Sequence, residues 1–221
     1  EDDLSSTLPY QRDHFPHWLH YCVRFLFWGH INMWRYFAPP KYRKLRRRLV
    51  VGELAWLGFV IALAYVNLPA TFVVFVLPLI IMRILMMSGN FTQHAFVDVD
   101  DPGNPFRNST CLINTAYNHR CYNDGYHIVH HIKANLHWSE MAQWYDDNRE
   151  EFAKHDAIVF DGVNSNQQLF FWLMNKNYDR MAEHMVNFHG RTHEQLVELL
   201  KSRTRRRMGE IEWWSELRQA A

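Results

Sequence analysis

Two apolar stretches decide the fold of this chain: LVVGELAWLGFVIALAYVNL at residues 49–68 and ATFVVFVLPLIIMRILMM at residues 70–87. At a rise of about 1.5 Å per residue, each is long enough to cross the core of a bilayer as a helix. Asn67-Leu68-Pro69 leaves only a short break between them. The pattern therefore predicts a transmembrane helical hairpin that returns the chain to its starting side, and the alternative is a buried hairpin in the core of a soluble protein.

Charged residues orient the predicted hairpin. Cytosolic flanks of membrane spans are enriched in Lys and Arg, so a basic run in front of the first stretch places that side in the cytosol or in its organellar equivalent, the stroma or matrix. Within the stretches, Glu53 lies near enough to one end to reach the interface, and we expect Arg83 to face protein or water. The basic run comprises Lys41, Arg43, Lys44, Arg46, Arg47 and Arg48.

The segment before the hairpin is rich in aromatic residues. Residues 15–37 carry nine Phe, Trp or Tyr residues, including Trp18, Trp28 and Trp34, interrupted by polar residues too often for a clean span. Such side chains favour the headgroup region, so the pattern predicts an interfacial helix that ends before Pro39-Pro40. An ordinary aromatic packing face is the alternative.

The C-terminal part is predicted to be a polar helical cap. Helical patterns cover residues 139–154 and 166–188, and Thr192 with Gln195 forms a capping-box signal for a last helix. No strand alternation is evident, so we predict an all-α membrane protein. Its segments are 1–40 with the interfacial helix, 41–93 with the hairpin, 94–138 with a histidine-rich segment, and the cap at 139–221. We expect Arg203, Arg205, Arg206 and Arg207 to form a solvated face.

Composition excludes several functions. The three cysteines show no CxxC spacing, which gives no support to a disulfide framework or a thiolate zinc site. The formal charge is +1, and the basic residues are gathered in two short runs. We therefore expect no nucleic-acid partner.

The sequence GYHIVHH at residues 125–131 is the strongest functional signal. His127, His130 and His131 have helical i, i+3 and i+4 spacing, so their rings can converge on a metal ion. His94 follows the second apolar stretch and is a further candidate ligand. The preceding Asn123-Asp124-Gly125 is a turn and N-cap signal that favours a helix start there. A solvated helix face that happens to contain histidines is the alternative.

These motifs resemble the C-terminal half of an integral-membrane fatty acid desaturase. The resemblance is most specific from residues 89 to 138, where GNFTQHAF precedes an Asp-rich segment and then NDGYHIVHH. It implies that His94, His127, His130 and His131 are ligands of a di-iron centre on the cytosolic side of a helical membrane body, and that no catalytic side chain is needed beyond them. Candidates for orienting the ligands are Asn90, Asp124 and His137.

The resemblance also implies the partners. Two iron ions would use O2 to place a double bond in the acyl chain of a membrane lipid, with electrons from cytochrome b5 or ferredoxin, in the endoplasmic reticulum or an organelle membrane. Family members have two earlier histidine boxes that this sequence lacks. We therefore expect the remaining ligands upstream of Glu1 or on another polypeptide.

Two alternatives remain at this level. One is an inactive desaturase-like accessory subunit among other membrane subunits, with the aromatic sequence IEWW at residues 211–214 docking a partner. The other is a related histidine-box hydroxylase, which would insert oxygen instead of removing hydrogen.

Overall fold

The structure is a computed structural model that describes residues 6–206. Within it, residues 22–87 form one compact unit, and residues 6–21 with 88–206 form the other. The proposed docking sequence at 211–214 and Arg207 lie outside the described residues.

Helices dominate the described chain, in agreement with the sequence. The helices are α1 (Phe15–Tyr36), α2 (Arg43–Val66), α3 (Leu68–Gln93), α4 (Ala116–Arg120), α5 (His127–Ile132), α6 (Met141–Asp147), α7 (Arg149–Lys154), α8 (Asn166–Met174), α9 (Tyr178–His184) and α10 (His193–Arg203). Short 3-10 turns cover Pro40–Tyr42 and Trp138–Glu140. The strands are β1 (Thr110–Ile113) and β2 (Ile158–Asp161).

Two helices of the described chain have the length and composition of membrane spans. The most apolar 18-residue window has a mean hydropathy of 2.1 in Pro40–Val66 and of 2.4 in Leu68–Gln93. Almost none of either window is buried within the protein, and side chains such as Leu54, Val73 and Met82 are more than half exposed. A soluble core helix would bury this surface, so the exposure favours a hydrocarbon environment.

Local chemistry explains the shape of the hairpin helices. Asn67 is extended, and its side-chain oxygen accepts a hydrogen bond from the Ala70 N–H at 3.0 Å, which starts α3. Further along, Phe72–Val76 forms a π-helical turn in which the Leu77 N–H reaches the Phe72 carbonyl. Pro78 follows at once and has no N–H to donate, so the regular ladder is already interrupted there.

Both charged residues inside the apolar stretches have partners. Glu53 accepts hydrogen bonds from His30 Nδ1 and from Trp34 Nε1, each at 2.6 Å. The Arg83 guanidinium lies 5.8 Å from the centre of the Phe25 ring. These contacts offset part of the cost of placing charge in an apolar region, and they agree with the expectation that Arg83 faces protein or water.

The second unit is built on a parallel pair of strands. β1 and β2 are in register from Thr110 opposite Ile158 to Ile113 opposite Asp161. Alternate side chains enter two separate cores: Leu112, Ile158 and Phe160 pack with α8, α9 and α10, whereas Cys111, Ile113 and Val159 pack with α5, α6 and α7. The strand pair thus forms a layer between the C-terminal helices and the histidine-bearing helix.

The strand pair corrects the prediction of an all-α fold, although the prediction of a mainly helical chain is confirmed. The Thr192–Gln195 capping box is also confirmed. The prediction for Arg203 was wrong, because this side chain is buried and lies 3.1 Å from the Asp98 carboxylate, whereas Arg205 and Arg206 are exposed as expected.

Candidate metal centre

Three of the four predicted histidines converge. His94 follows the last turn of α3, and His127 and His131 occupy positions one turn apart on α5. Their Nε2 atoms form a triangle with sides of 3.1 Å (His94 to His127), 3.3 Å (His94 to His131) and 3.2 Å (His127 to His131). Two of these side chains come from one helix face, as the i, i+4 spacing predicts.

The triangle has the size that one metal ion requires. Nitrogen ligands about 2.1 Å from an ion lie about 3.0–3.4 Å apart when they subtend angles between a right angle and the tetrahedral value. All three observed separations fall in that range. The three side chains can therefore hold a single ion, and imidazole is a suitable ligand for iron.

Hydrogen bonding fixes the orientation of His94. Its Nδ1 lies 2.6 Å from the Asn108 carbonyl oxygen, which can only accept, so Nδ1 carries the proton. In the neutral ring this leaves the lone pair on Nε2, the atom that points at the other two histidines.

Electrostatics favours neutral rings in the triangle. Burial first, and then the neighbouring histidines, lower the pKa of His127 to about 2 and that of His131 to about 4. Both side chains are uncharged at neutral pH. A metal binds this form without first displacing a proton.

His130 lies apart from the triangle. Its side chain is exposed, and its ring stacks on His127 with 5.8 Å between centroids. It lines a pocket of about 260 Å³ together with Cys121, Tyr122, Asp124, His127 and Met141. The structure thus places His130 beside the three-histidine cluster, on an open cavity, and not within the cluster.

The three predicted orienting residues have different contacts. Asp124 Oδ2 accepts hydrogen bonds from Gln93 Nε2 at 2.8 Å and from the Tyr117 hydroxyl at 2.6 Å. Asn90 donates to the Tyr21 hydroxyl, and the exposed His137 caps the turn Trp138–Glu140 through the Ser139 N–H. The cap of α5 is Tyr126 and lacks a side-chain bond, which corrects the predicted Asn123-Asp124-Gly125 cap.

Comparison with known proteins decides the family. The sequence matches the family model described as Fatty acid desaturase over residues 4–162, which is more than two thirds of the chain. The chain belongs to the fatty acid desaturase family. No curated protein and no solved structure matched it. Members of this family are generally membrane-bound and generally use two iron ions, which agrees with the two apolar helices and with a histidine cluster that can bind metal.

A glycine in this desaturase-family chain sets the loop that leads into the histidine helix. The Leu112 N–H donates to the Gly125 carbonyl at 2.7 Å, and the Gly125 N–H donates to Asn118 Oδ1 at 3.0 Å. Asn118 Nδ2 in turn donates to the Leu112 carbonyl at 2.9 Å. These hydrogen bonds hold the loop against β1 at Gly125, which lies two residues before His127.

Contacts distant in sequence hold His94, and sequence reasoning missed them. The Thr7 hydroxyl donates to the His94 carbonyl at 2.7 Å, and the fully buried Arg12 donates to the next carbonyl, that of Ala95, also at 2.7 Å. The Asn108 carbonyl was missed as well. Every residue has a backbone carbonyl, so the sequence does not indicate which carbonyl accepts a bond from His94. The Thr7 and Arg12 contacts join residues more than eighty positions apart, so no local pattern predicts them.

Proposed function

We propose that this chain contributes the second half of the di-iron centre of an O2-dependent fatty acyl desaturase. The convergence of His94, His127 and His131 in a member of this family carries the proposal. In it, these three side chains hold one iron ion, and His130 serves the neighbouring ion from the adjoining pocket. The remaining ligands come from an upstream segment or another polypeptide.

The overall reaction fixes what the site must receive. Two neighbouring methylenes of an acyl chain each lose one hydrogen and become a cis double bond. O2 takes up those two hydrogens with two further protons and two electrons, and leaves as two waters. Cytochrome b5 or a ferredoxin is the proposed source of the electrons. When bound, the iron pair supplies the O2 chemistry that side chains alone lack.

The residues of this chain have three tasks in that reaction. The Asn108 carbonyl keeps the proton of His94 on Nδ1, so that Nε2 remains a ligand. Burial and the neighbouring histidines keep His127 neutral, so it can bind a metal without losing a charge-bearing proton. Helix α5 fixes His127 and His131 one turn apart, so their spacing needs no adjustment on binding.

The hairpin is the part of this chain that we propose to lie in the membrane. We propose that α2 and α3 cross the membrane, with the basic residues at the start of α2 on the cytosolic, stromal or matrix side. Because two spans return the chain to its starting side, His94 belongs to that same side.

The proposal is tested by product analysis. The protein is purified from its native membrane with the polypeptides that accompany it, and is given O2, an electron donor and acyl lipids. Mass spectrometry should find products lighter than substrate by two hydrogens, and His127→Ala should abolish them. His193→Ala is the matched control, because that exposed histidine lies on α10 and bonds to Asp179. Products heavier by one oxygen would favour a hydroxylase, and an unchanged lipid pool in the presence of bound iron would contradict the proposal.

A further inference from the structure

The carboxylate of Asp124 joins the two segments that carry the converging histidines. Gln93, which donates to this carboxylate at 2.8 Å, immediately precedes His94. Asp124 itself lies three residues before His127. One hydrogen bond therefore connects the end of α3 to the loop that begins α5.

The direction of the hydrogen bonds around this carboxylate is determined. An ionised carboxylate only accepts, so the Tyr117 hydroxyl donates to Asp124 at 2.6 Å. The same hydroxyl must then accept from Asn166 Nδ2, which lies 3.1 Å away in the first turn of α8. Burial, followed by the bond to Asp124, raises the pKa of Tyr117, so its hydroxyl remains a donor at physiological pH. The result is an ordered chain from Asn166 through Tyr117 and Asp124 to Gln93.

Formation of the turn does not account for this carboxylate. The turn is closed by other groups: the Asp124 N–H donates to the Cys121 carbonyl, the Tyr126 N–H donates to the Asn123 carbonyl, and Asn118 holds Gly125. The side chain of Asp124 instead contacts Gln93 and Tyr117. Charge-assisted bonds of this kind are stronger and more directional than neutral ones.

We propose that Tyr117 and Asp124 are positioning residues, which hold His94 at the spacing from His127 and His131 that one ion requires. The inference rests on the proposed function of these histidines as iron ligands. Tyr117 orients the carboxylate, and the carboxylate fixes Gln93 and hence the neighbouring His94. Loss of such an outer hydrogen bond typically weakens metal binding about 10–100-fold.

Cobalt(II) binding provides a test that does not require catalysis. The metal-free protein, in detergent, is titrated with Co²⁺, whose visible absorption reports the geometry of its ligands. We expect Tyr117→Phe to bind Co²⁺ about 10–100-fold more weakly and to alter the absorption bands. Asp124→Asn keeps an acceptor oxygen and should have a smaller effect than Asp124→Ala.

Two other tyrosines offer matched controls for loss of a hydroxyl. The Tyr145 hydroxyl is buried and has no hydrogen-bond partner among residues 6–206, so Tyr145→Phe should leave both affinity and spectrum unchanged. The Tyr178 hydroxyl bonds to Asp13 and Thr204. Tyr178→Phe should therefore lower the melting temperature without changing the Co²⁺ spectrum, which separates general destabilisation from positioning.

The outcomes separate this inference from the proposed function. If His127→Ala loses Co²⁺ binding while Tyr117→Phe and Asp124→Ala keep wild-type affinity and spectrum, the positioning role is overturned and the metal site stands. If His127→Ala binds Co²⁺ as the wild type does, the histidine cluster is not the metal site and both proposals fail. Weaker binding with an altered spectrum in Tyr117→Phe, with a fall in melting temperature no larger than that of Tyr178→Phe, is the expected result.

Discussion

Substitution of Gly125 by Ala should disable the metal site without touching a histidine. A Cβ atom added to Gly125 would lie 2.7 Å from the backbone oxygen of Leu112 and closer still to Asn118 Oδ1. The ordinary contact between carbon and oxygen is roughly 3.3 Å or more. The oxygen of Leu112 belongs to β1, which is paired with β2 and buried on both faces, so the loop must move instead of the strand.

The expected loss of unfolding free energy follows from the hydrogen bonds that such a movement of the loop breaks. The loop loses the bond from the Leu112 N–H to Gly125 and the bond from the Gly125 N–H to Asn118. Two hydrogen bonds at about 0.5–1.5 kcal/mol each, with about 1–3 kcal/mol of overpacking strain, predict a loss of about 2–6 kcal/mol in unfolding free energy. His127 follows two residues later, so its Nε2 should leave the triangle and metal affinity should fall with stability.

Thermal unfolding and metal titration of the same samples test this prediction. Gly103→Ala is the control, because a Cβ there meets no atom within 4 Å in the described structure. Asn118→Ala added to Gly125→Ala should recover little, since the clash with the Leu112 oxygen remains. A Gly125→Ala protein with the melting temperature and metal content of the wild type would refute the reasoning.

Three further substitutions address other parts of the second unit. Arg12→Met removes a fully buried guanidinium that donates to the carbonyls of Ala95, Arg203 and Arg205. Because these carbonyls lose their donor at once, the free energy of unfolding in urea should fall by about 3 kcal/mol or more. An unchanged urea midpoint would contradict this. Thr7→Val removes the bond to the His94 carbonyl and should weaken Co²⁺ binding several-fold, whereas Thr7→Ser should retain it. Asp156→Asn should cost about 1–2 kcal/mol near neutral pH, because Arg191 makes a two-pronged contact with this carboxylate at 2.6 and 2.8 Å. Burial acts to raise the pKa of Asp156, but the bond and charge of Arg191 lower it overall. The stabilisation is therefore present above the carboxyl's unfolded pKa and is lost as the pH falls through the folded value, so wild type and Asp156→Asn should converge in acid.

The elements predicted from sequence are those specified by local patterns. The aromatic segment forms α1 within one residue of the predicted bounds, and the apolar stretches form α2 and α3. The Thr192–Gln195 capping box forms because both of its hydrogen bonds lie within four residues. The convergence of His127 and His131 follows equally from helical spacing.

The elements that the sequence did not reveal depend on distant contacts. β1 and β2 are four residues each and buried on both sides, so their apolar runs show no alternation to distinguish them from helix. Arg203 is buried because Asp98, more than a hundred residues earlier, lies beside it. The Asn108 carbonyl bonds to His94, and the Tyr117 hydroxyl bonds to Asp124. Both contacts exist only because the fold brings these groups together.

Iron content tests the central claim most directly. Plasma mass spectrometry of the protein purified from its native membrane, with its accompanying polypeptides, measures iron per chain. The account predicts two iron ions per chain in the wild type, and loss of iron in His94→Ala and His127→Ala but not in His193→Ala. Wild-type protein without iron, or iron that persists in His127→Ala, would contradict the assignment of this cluster to a di-iron centre.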